Sequence, residues 1–277
     1  MTGIRVGFLL ALFGCGQFFL SPLNAQPRAY SEAAISIIID DMGKRLEDGQ
    51  RIVALPGPVA CSFLPRARYT SSLASAAHAE GKEVLLHLPM DSVDQRPLDA
   101  GAVTLDMNQQ QFVSTVKAGL AAVPHAVGIN NHMGSLLTRH PGHMLWLMRV
   151  MQTHSPLFFV DSRTTVNTVA RWVAEENGVP ASERNVFLDN RLDADDIRRE
   201  FERLLGLARK QGTALAIGHP NALTLEMLER QLPRLKQQGI RLVPVSELIE
   251  MQQEGEHTWQ ASWSPSHRDA KNSKPSL

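Results

Sequence analysis

Short apolar runs alternate with amphipathic stretches from residue 34 to about residue 250. The runs are rich in Val, Ile and Leu without polar alternation, which is typical of strands covered on both faces of a parallel sheet. Seven strands are predicted, at 35–39, 59–63, 84–88, 127–129, 157–160, 186–188 and 215–217, with an eighth candidate at 242–245. This alternation predicts an α/β domain, built either as an open doubly wound sheet or as a closed (β/α) barrel.

The stretches between the strands carry helix start and stop signals. Asp106 is followed three residues later by Gln109, which is the pattern of a capping box, and Asp193 opens a stretch with further acidic residues in its first turn. We expect Ser246 to cap a short last helix and Pro233 to interrupt the helix before it.

The first 25 residues have the pattern of an export signal rather than of a folded segment. Arg5 is the only charged residue in 1–25, and an almost wholly apolar run follows it. A membrane anchor and a lipoprotein signal ending at Cys15 are the alternatives. All three deliver the domain outside the cytoplasm, so we expect a periplasmic or otherwise extracytoplasmic protein, with no stable membrane insertion once the signal is cleaved.

Domain organisation and composition narrow the possible classes of protein further. We expect a signal peptide at 1–25, a short linker at 26–33, one domain at 34–251 and a disordered polar tail at 252–277. The 28 basic and 28 acidic side chains leave no net charge, so we expect no nucleic-acid partner. Two cysteines exclude a disulfide scaffold and a thiolate zinc module.

Ionisable and amide side chains follow six of the predicted strands. The C-terminal ends of parallel strands converge on one mouth, where polar groups are costly to bury unless they are paired or bind a ligand. We therefore expect these residues to form a single site. They are Asp40 and Asp41, His87 and Asp91, Asn131 and His132, Asp161 and Ser162, Asp189, and His219.

The residue types at this mouth indicate a metal centre. Carboxylates and imidazoles from separate strands, without cysteine, form the ligand set of an open site for Zn²⁺ or a similar divalent cation. Adjacent acids such as Asp40 and Asp41 are costly after an apolar strand unless they share a cation or a proton. One acid is therefore expected to hold the metal and the other to transfer protons.

Five motifs give the chain a family resemblance. They read I-I-I-D-D-M-G at 37–43, H-L-P-M at 87–90, G-I-N-N-H-M-G-S at 128–135, F-F-V-D-S-R at 158–163 and A-I-G-H-P at 216–220. On these motifs the chain resembles the divergent (YibQ-like) polysaccharide deacetylase family, a remote branch of the NodB-like carbohydrate esterases. The resemblance implies an irregular NodB-like (β/α) barrel of about seven parallel strands, with the site at their C-terminal ends and an acetylated envelope glycan as partner.

The resemblance also implies a role for four residues. The first motif of the relatives supplies a catalytic base and then a metal ligand, which correspond to Asp40 and Asp41. The first metal-binding histidine of the relatives corresponds to His87. Their last-strand histidine, which protonates the leaving group, corresponds to His219.

The sequence departs from the family pattern at two places. The position of the second metal-binding histidine holds Asp91, so the third ligand is either Asp91 or His132, which we prefer because amides and a tight-turning chain surround it. The Arg-Pro-Pro-Tyr motif of the relatives is absent, so substrate contacts must differ there. The residues expected to support the ligands or contact substrate are Asn131, Asp161, Ser162, Asp189 and, where it is not a ligand, Asp91.

The sequence therefore predicts a metal-dependent deacetylase that hydrolyses an acetyl amide or ester on an envelope carbohydrate, with Zn²⁺ as the expected metal. The alternative is a catalytically inactive glycan-binding or envelope-assembly protein that retains the metal site, which would add envelope proteins as partners. A phosphoesterase is a third class, and it would need a basic clamp for which only Arg163 is evident.

Overall fold

The computed structural model describes residues 33–154 and 156–263. The expected signal peptide and residues 264–277 lie outside this part of the chain, as does all but the last residue of the linker. In the part that is described, no helix combines the length and the apolar character needed to cross a membrane.

The described residues form nine strands and eight α-helices. The strands are β1 (Ala33–Met42), β2 (Ala60–Phe63), β3 (Val84–Met90), β4 (Ala126–Met133), β5 (Phe158–Asp161), β6 (Ala181–Glu183), β7 (Val186–Phe187), β8 (Thr213–Gly218) and β9 (Ile240–Leu242). The helices are α1 (Leu46–Val53), α2 (Thr70–Ala79), α3 (Gln109–Ala122), α4 (Pro141–Thr153), α5 (Ala170–Glu176), α6 (Ala194–Gln211), α7 (Ala222–Gln231) and α8 (Val245–Trp263).

All strand pairs are parallel and belong to one curled sheet. Its order is β6-β5-β4-β3-β2-β1-β8-β7, with β9 beside the start of β1. The sheet ends at β6 and β7, which follow each other in the chain, so the barrel is irregular and open between them. This arrangement confirms the predicted irregular (β/α) barrel, although β6 was not predicted and the strand count exceeds seven.

The two faces of the sheet carry different parts of the core. Along β1, Ile37 and Ile39 pack on the face that most helices cover, whereas Ile38 belongs to a second cluster on the inner face. Leu248 of α8 joins this inner cluster. Side chains of a strand alternate between faces, so Asp40 continues the inner row begun by Ile38, at the C-terminal end of the strand.

Two helix starts differ from the sequence prediction. The capping box of α3 joins Asn108 and Gln111 rather than Asp106 and Gln109, because α3 begins at Gln109. Ser246 does not cap α8 with its side chain. Instead, its backbone N–H and that of Val245 donate to the carboxylate of Glu83, which lies just before β3.

The other helix signals agree with the structure. Asp193 accepts the N–H groups of Asp195 and Asp196 at the start of α6. Pro233 lies in a 3-10 turn that ends the helix before it. At the other end of the domain, α8 continues to Trp263, so residues 252–263 are helical where the sequence predicted part of a disordered tail.

Candidate metal centre

The two adjacent aspartates lie at an irregular point of β1. The pairing of β1 with β2 shifts register between Ile39 and Met42, and Asp41 has a left-handed backbone with φ 56°. Consecutive strand residues normally point to opposite faces. Here the irregularity lets both carboxylates approach one imidazole, since His87 Nε2 lies 3.6 Å from Asp40 Oδ2 and 3.4 Å from Asp41 Oδ1.

Three potential ligand atoms face one another at the top of β1, β3 and β4. His132 Nδ1 lies 3.0 Å from Asp41 Oδ1 and 3.1 Å from His87 Nε2, and His87 Nε2 lies 3.4 Å from Asp41 Oδ1. The three atoms form a triangle. Atoms bound to a tetrahedral Zn²⁺ at about 2.0–2.1 Å lie about 3.3 Å apart. The triangle therefore fits a divalent cation.

The hydrogen bonds of this triangle also favour a cation. Asp41 Oδ1 is buried and has no hydrogen-bond partner among the residues that the structure describes. A buried acceptor without a donor is costly, and a metal ion would satisfy it. Asp41, His87 and His132 are the group of described residues whose ligand atoms are arranged to hold one.

A buried asparagine, Asn130, fixes the ring of His87. Asn130 Nδ2 donates to Asp40 Oδ1 at 2.7 Å, and because a carboxylate only accepts, this contact sets the orientation of the amide. Asn130 Oδ1 then accepts from Ser62 Oγ at 2.6 Å and from His87 Nδ1 at 2.9 Å. His87 Nδ1 therefore carries a proton, which leaves Nε2, facing Asp41, as the nitrogen that a metal could take.

A second carboxylate supports His132 from outside the triangle. His132 Nε2 lies 3.2 Å from Asp99 Oδ2, although the angle is not that of a hydrogen bond. Lys44 bridges this side of the site, with Nζ at 3.4 Å from Asp99 Oδ2 and 3.7 Å from Asp41 Oδ2. A carboxylate behind a histidine orients the ring and strengthens it as a ligand.

The charges at the centre reinforce each other. Burial opposes ionisation of Asp41, but its contacts with His132 and His87 outweigh burial and hold the pKa of its carboxyl well below the usual range. Burial lowers the pKa of His87, but the charges of Asp40 and Asp41 raise it by more, so the pKa of His87 lies above its usual value. Asp41 is therefore ionised, as a ligand must be.

His219 and Asp189 form a pair across the mouth. β1 and β8 are in register at Ile39 and Gly218, so the next residues, Asp40 and His219, are neighbours across the two strands. His219 Nδ1 lies 2.9 Å from Asp189 Oδ1, which leaves Nε2 as the free nitrogen. Burial lowers the pKa of His219, but the hydrogen bond to Asp189 and the charges of Asp40, Asp189 and Asp41 raise it to about 9.

Asp189 is held by more than the imidazole. Its Oδ2 accepts the backbone N–H of His219 at 2.7 Å, Asn221 Nδ2 at 2.7 Å and the Thr224 hydroxyl at 2.8 Å. Burial raises the pKa of Asp189, but the hydrogen bond and charge of the His219 imidazole, together with the His219 N–H and the Thr224 hydroxyl, outweigh burial and lower it. The carboxylate is thus a fixed anion that orients His219.

A cleft of about 500 Å³ opens between the metal centre and His219. Asp41 and His219 line it, and so do the apolar surfaces of Phe187, Leu192 and Pro220. Leu192 is two-thirds exposed. The cleft therefore has a mixed polar and apolar lining, as small-molecule sites usually do.

The other residues expected at the site are near it but have other contacts. Asp91 Oδ2 accepts the N–H of Leu105, and the triangle is completed by His132 instead. Asp161 accepts Thr168 Oγ1 and the N–H of Arg163, so its carboxylate holds the loop after β5.

Asn131 and Ser162 join the ends of β4 and β5. Asn131 Oδ1 accepts the N–H of Ser162, and Asn131 Nδ2 donates to the carbonyl of Met133. Ser162 Oγ lies 3.4 Å from Asn130 Nδ2. Both residues therefore support the buried network rather than face the cleft directly.

Sequence reasoning missed three residues of the centre. Asn130 was seen only as the neighbour of Asn131, although its position two residues before His132 puts both on one face of β4. Ser62 was hidden inside an apolar strand, where a polar residue is a signal of its own. Asp99 had no signal, because it lies in the long connection between β3 and α3 and reaches His132 only through the fold.

These features define a class of protein, namely an irregular parallel (β/α) barrel with a candidate metal centre at the C-terminal ends of its strands. The family model for divergent polysaccharide deacetylases matches residues 37–249. The chain therefore belongs to the divergent polysaccharide deacetylase family.

Individual relatives agree with this family. Over 215 residues the chain is 36% identical to the uncharacterized protein YibQ of Escherichia coli K12, covering 78% of this chain and 67% of that protein. Over 220 residues it is 35% identical to an uncharacterized protein of Haemophilus influenzae Rd, covering 79% and 78%. The solved structure of uncharacterized protein ATU2773 from Agrobacterium tumefaciens C58 has the same fold, with a TM-score of 0.75 at 18% identity, covering 80% of this chain and 92% of that one.

Proposed function

We propose that this protein is a metal-dependent hydrolase that removes acetyl groups from a carbohydrate of the cell envelope. The observation that carries the proposal is the triangle of Asp41, His87 and His132, which lies beside Asp40 at the same strand ends as the His219–Asp189 pair. Membership of the deacetylase family supports the reaction class. The export-signal pattern of residues 1–25 supports a site of action outside the cytoplasm.

Asp41, His87 and His132 would hold the cation, and Zn²⁺ suits a set of one carboxylate and two imidazoles. When bound, such a cation polarises the acetyl carbonyl and lowers the pKa of a nearby water toward about 7. The chain's own part is to position the ligands in advance: Asn130 fixes the ring of His87, and the carboxylate of Asp99 lies beside His132.

Asp40 and His219 divide the proton transfers. Asp40 is buried, faces the centre and is held by Asn130 through one oxygen, so its other oxygen is available to accept a proton from the attacking water. His219 is protonated at neutral pH because its pKa is raised, and its Nε2 is free to donate to the leaving nitrogen or oxygen. The two residues follow adjacent strands, so a proton donor and a proton acceptor would be available at one end of the sheet.

The test is acetate release from acetylated glycans by the zinc-loaded protein. The probes are a pentamer of N-acetylglucosamine for amides and an O-acetylated xylan for esters. We expect Asp40→Asn to lower the rate by about 10²- to 10⁴-fold, the usual contribution of general acid–base catalysis, while the metal content of the protein is unchanged. Asp94→Asn, in an exposed loop, is the matched control and should retain full activity.

Two outcomes would overturn the proposal. Glycan binding without acetate release from either probe would indicate a non-catalytic glycan-binding protein. Full activity of Asp40→Asn would show that Asp40 is not the base that accepts a proton from the attacking water.

A further inference from the structure

A second depression, of about 370 Å³, adjoins the cleft on the side of β7 and α6. We call it the basic pocket, because four arginines line it. Arg184 comes from the connection between β6 and β7, Arg191 from the loop after β7, and Arg199 and Arg203 from α6. Cations from three separate segments therefore converge on one surface.

The basic pocket has more positive than negative charge. Asp196 pairs with Arg191 at 3.1 Å and also with Arg199, and Glu200 pairs with Arg203 at 2.9 Å. Among the described residues that line the pocket these two are the only acids, so four cations against two anions leave a surplus of two positive charges. The whole chain is balanced at 28 to 28, so this surplus is a local feature.

Arg184 is held in place before any ligand arrives. Its Nε donates to the carbonyl of Ser162 at 2.7 Å, and its Nη2 donates to the carbonyl of Arg163 at 2.9 Å. Its guanidinium carbon lies 5.0 Å from the ring centre of Phe187, over the face of that ring. A cation fixed in this way loses little side-chain entropy when it binds an anion.

The basic pocket and the catalytic cleft are continuous. Phe187 and Asn190 line both of them. The ring centre of Phe187 lies 5.0 Å from the Arg184 guanidinium and 5.2 Å from the imidazole of His219, so the two cations are at most about 10 Å apart. A ligand that reaches His219 with its acetyl group can therefore reach Arg184 with a neighbouring substituent.

We propose that the basic pocket binds an anionic group, a phosphate or a carboxylate, carried by the acetylated glycan next to the sugar that is deacetylated. The inference rests on the proposed function, and it adds that the substrate is an anionic glycan rather than a neutral one. Guanidinium groups match the planar, multi-oxygen shape of both anions, and such charge-assisted hydrogen bonds are among the strongest in proteins.

The test compares pairs of probes that differ only in the anion, by calorimetry on the metal-loaded full domain. N-acetylglucosamine 1-phosphate is compared with N-acetylglucosamine, and the disaccharide of N-acetylglucosamine and N-acetylmuramic acid is compared with the N-acetylglucosamine dimer. Binding of the phosphate probe or of the carboxylate probe identifies which anion the pocket accepts. We expect the preferred anionic probe to bind at least about tenfold more tightly than its neutral partner, and this preference to weaken at high salt.

The decisive variant is Arg199→Gln with Arg203→Gln, which removes the surplus of two charges. We expect it to abolish the preference for the anionic probe and to leave binding of the neutral probe unchanged. Arg198→Gln with Arg209→Gln removes the same charge from the same helix outside the pocket, and it should keep the preference. The four substituted residues are all exposed, so both double variants should fold, which circular dichroism verifies. They are Arg198, Arg199, Arg203 and Arg209.

Equal affinity for anionic and neutral probes, or equal losses in the two double variants, would overturn the inference. Because binding is measured in the Asp40→Asn background, in which hydrolysis is suppressed, this result is independent of acetate release. A preference for anions in a protein that releases no acetate would contradict the proposed function alone. Acetate release by a protein that shows no preference for the anionic probes would contradict only the inference that the substrate is anionic.

Discussion

The side chain of Asn130 contacts Ser62, His87 and Asp40 at once, so one amide positions both a candidate metal ligand and the carboxylate proposed as the base. All three partners are buried. Loss of the amide would leave Ser62, the Nδ1 proton of His87 and the carboxylate of Asp40 without a partner. An unsatisfied buried polar group costs about 1–3 kcal/mol.

We therefore expect Asn130→Ala to weaken zinc binding about 10- to 100-fold, because support behind a ligand has effects of that size. The free energy of unfolding of the metal-free protein should fall by about 1–3 kcal/mol. Competition with a zinc chelator and urea denaturation measure the two effects. Asn167→Ala, at an exposed asparagine, is the control, and equal behaviour of the two variants would contradict the role given to Asn130.

The His219–Asp189 pair predicts a pH dependence. The folded-state pKa of His219 is raised to about 9, above the value of about 6.5 for an unfolded histidine. Its contribution to stability is therefore fully present below pH 6.5 and is lost as the pH rises through about 9. If His219 is the proton donor, the alkaline limb of the pH–rate profile falls in the same range.

Asp189→Asn should move the titration of His219 down, because it removes the partner that raises the pKa most. The midpoint is measured from the ring protons of His219 by NMR in the metal-free protein, and the alkaline limb of acetate release should follow it. Asp94→Asn should leave the midpoint unchanged. An unaltered midpoint in Asp189→Asn would show that Asp189 does not control the proton on His219.

At the scale of single elements, the start of α8 depends on a residue far away in the chain. The N–H groups of Val245 and Ser246 have no partner within α8, and both donate to the carboxylate of Glu83, at 2.6 Å and 3.1 Å. A negative charge at the N-terminus of a helix also interacts favourably with the helix dipole. Because α8 packs on the inner core through Leu248, Glu83 ties β3 to this packing.

We expect Glu83→Ala to lower the free energy of unfolding by about 1–2 kcal/mol, the usual effect of removing a helix cap. Urea denaturation monitored by circular dichroism measures it. Glu80→Ala, three residues earlier and exposed, provides the comparison and should change stability little. Similar losses in both variants would mean that charge in general, and not capping, is responsible.

The strands with strong sequence signals were predicted well, and the short ones were not. Ile35–Ile39 and Val84–Leu88 are mostly apolar runs, and they lie within β1 and β3. β6, by contrast, is the three-residue segment Ala181–Glu183, and its extended form comes from pairing with β5 rather than from its own preference. Helix caps supplied from a distance, such as Glu83, likewise carry no local signal.

The site likewise combines features that have a local sequence signal with features that only the fold determines. Asp41, His87 and His132 could be expected together, because each ends a strand and parallel strands bring their ends to one mouth. That His132 and not Asp91 completes the triangle depends on the register of β3 and β4, which pairs His132 with Pro89. Register and side-chain rotation are set by packing and are not visible in a single sequence.

At the scale of the whole molecule, the fold assembles the site from distant parts of the chain. β1 lies in the middle of the sheet and pairs with β2 on one side and with β8, from the far end of the domain, on the other. Asp40 and His219 become neighbours only through this pairing. The proposed site therefore depends on the order of β1 to β4 and β8 in the sheet, and its three candidate ligands come from β1, β3 and β4.

The most direct test of the metal centre is the zinc content of the purified domain, measured by plasma mass spectrometry after reconstitution and dialysis. The wild type and Asp91→Asn should each hold about one zinc ion per chain, and His132→Ala should have lost it. Asp91→Asn serves as the matched control because Asp91 is the rival ligand. No zinc in the wild type, or full zinc in His132→Ala, would contradict a centre built from Asp41, His87 and His132.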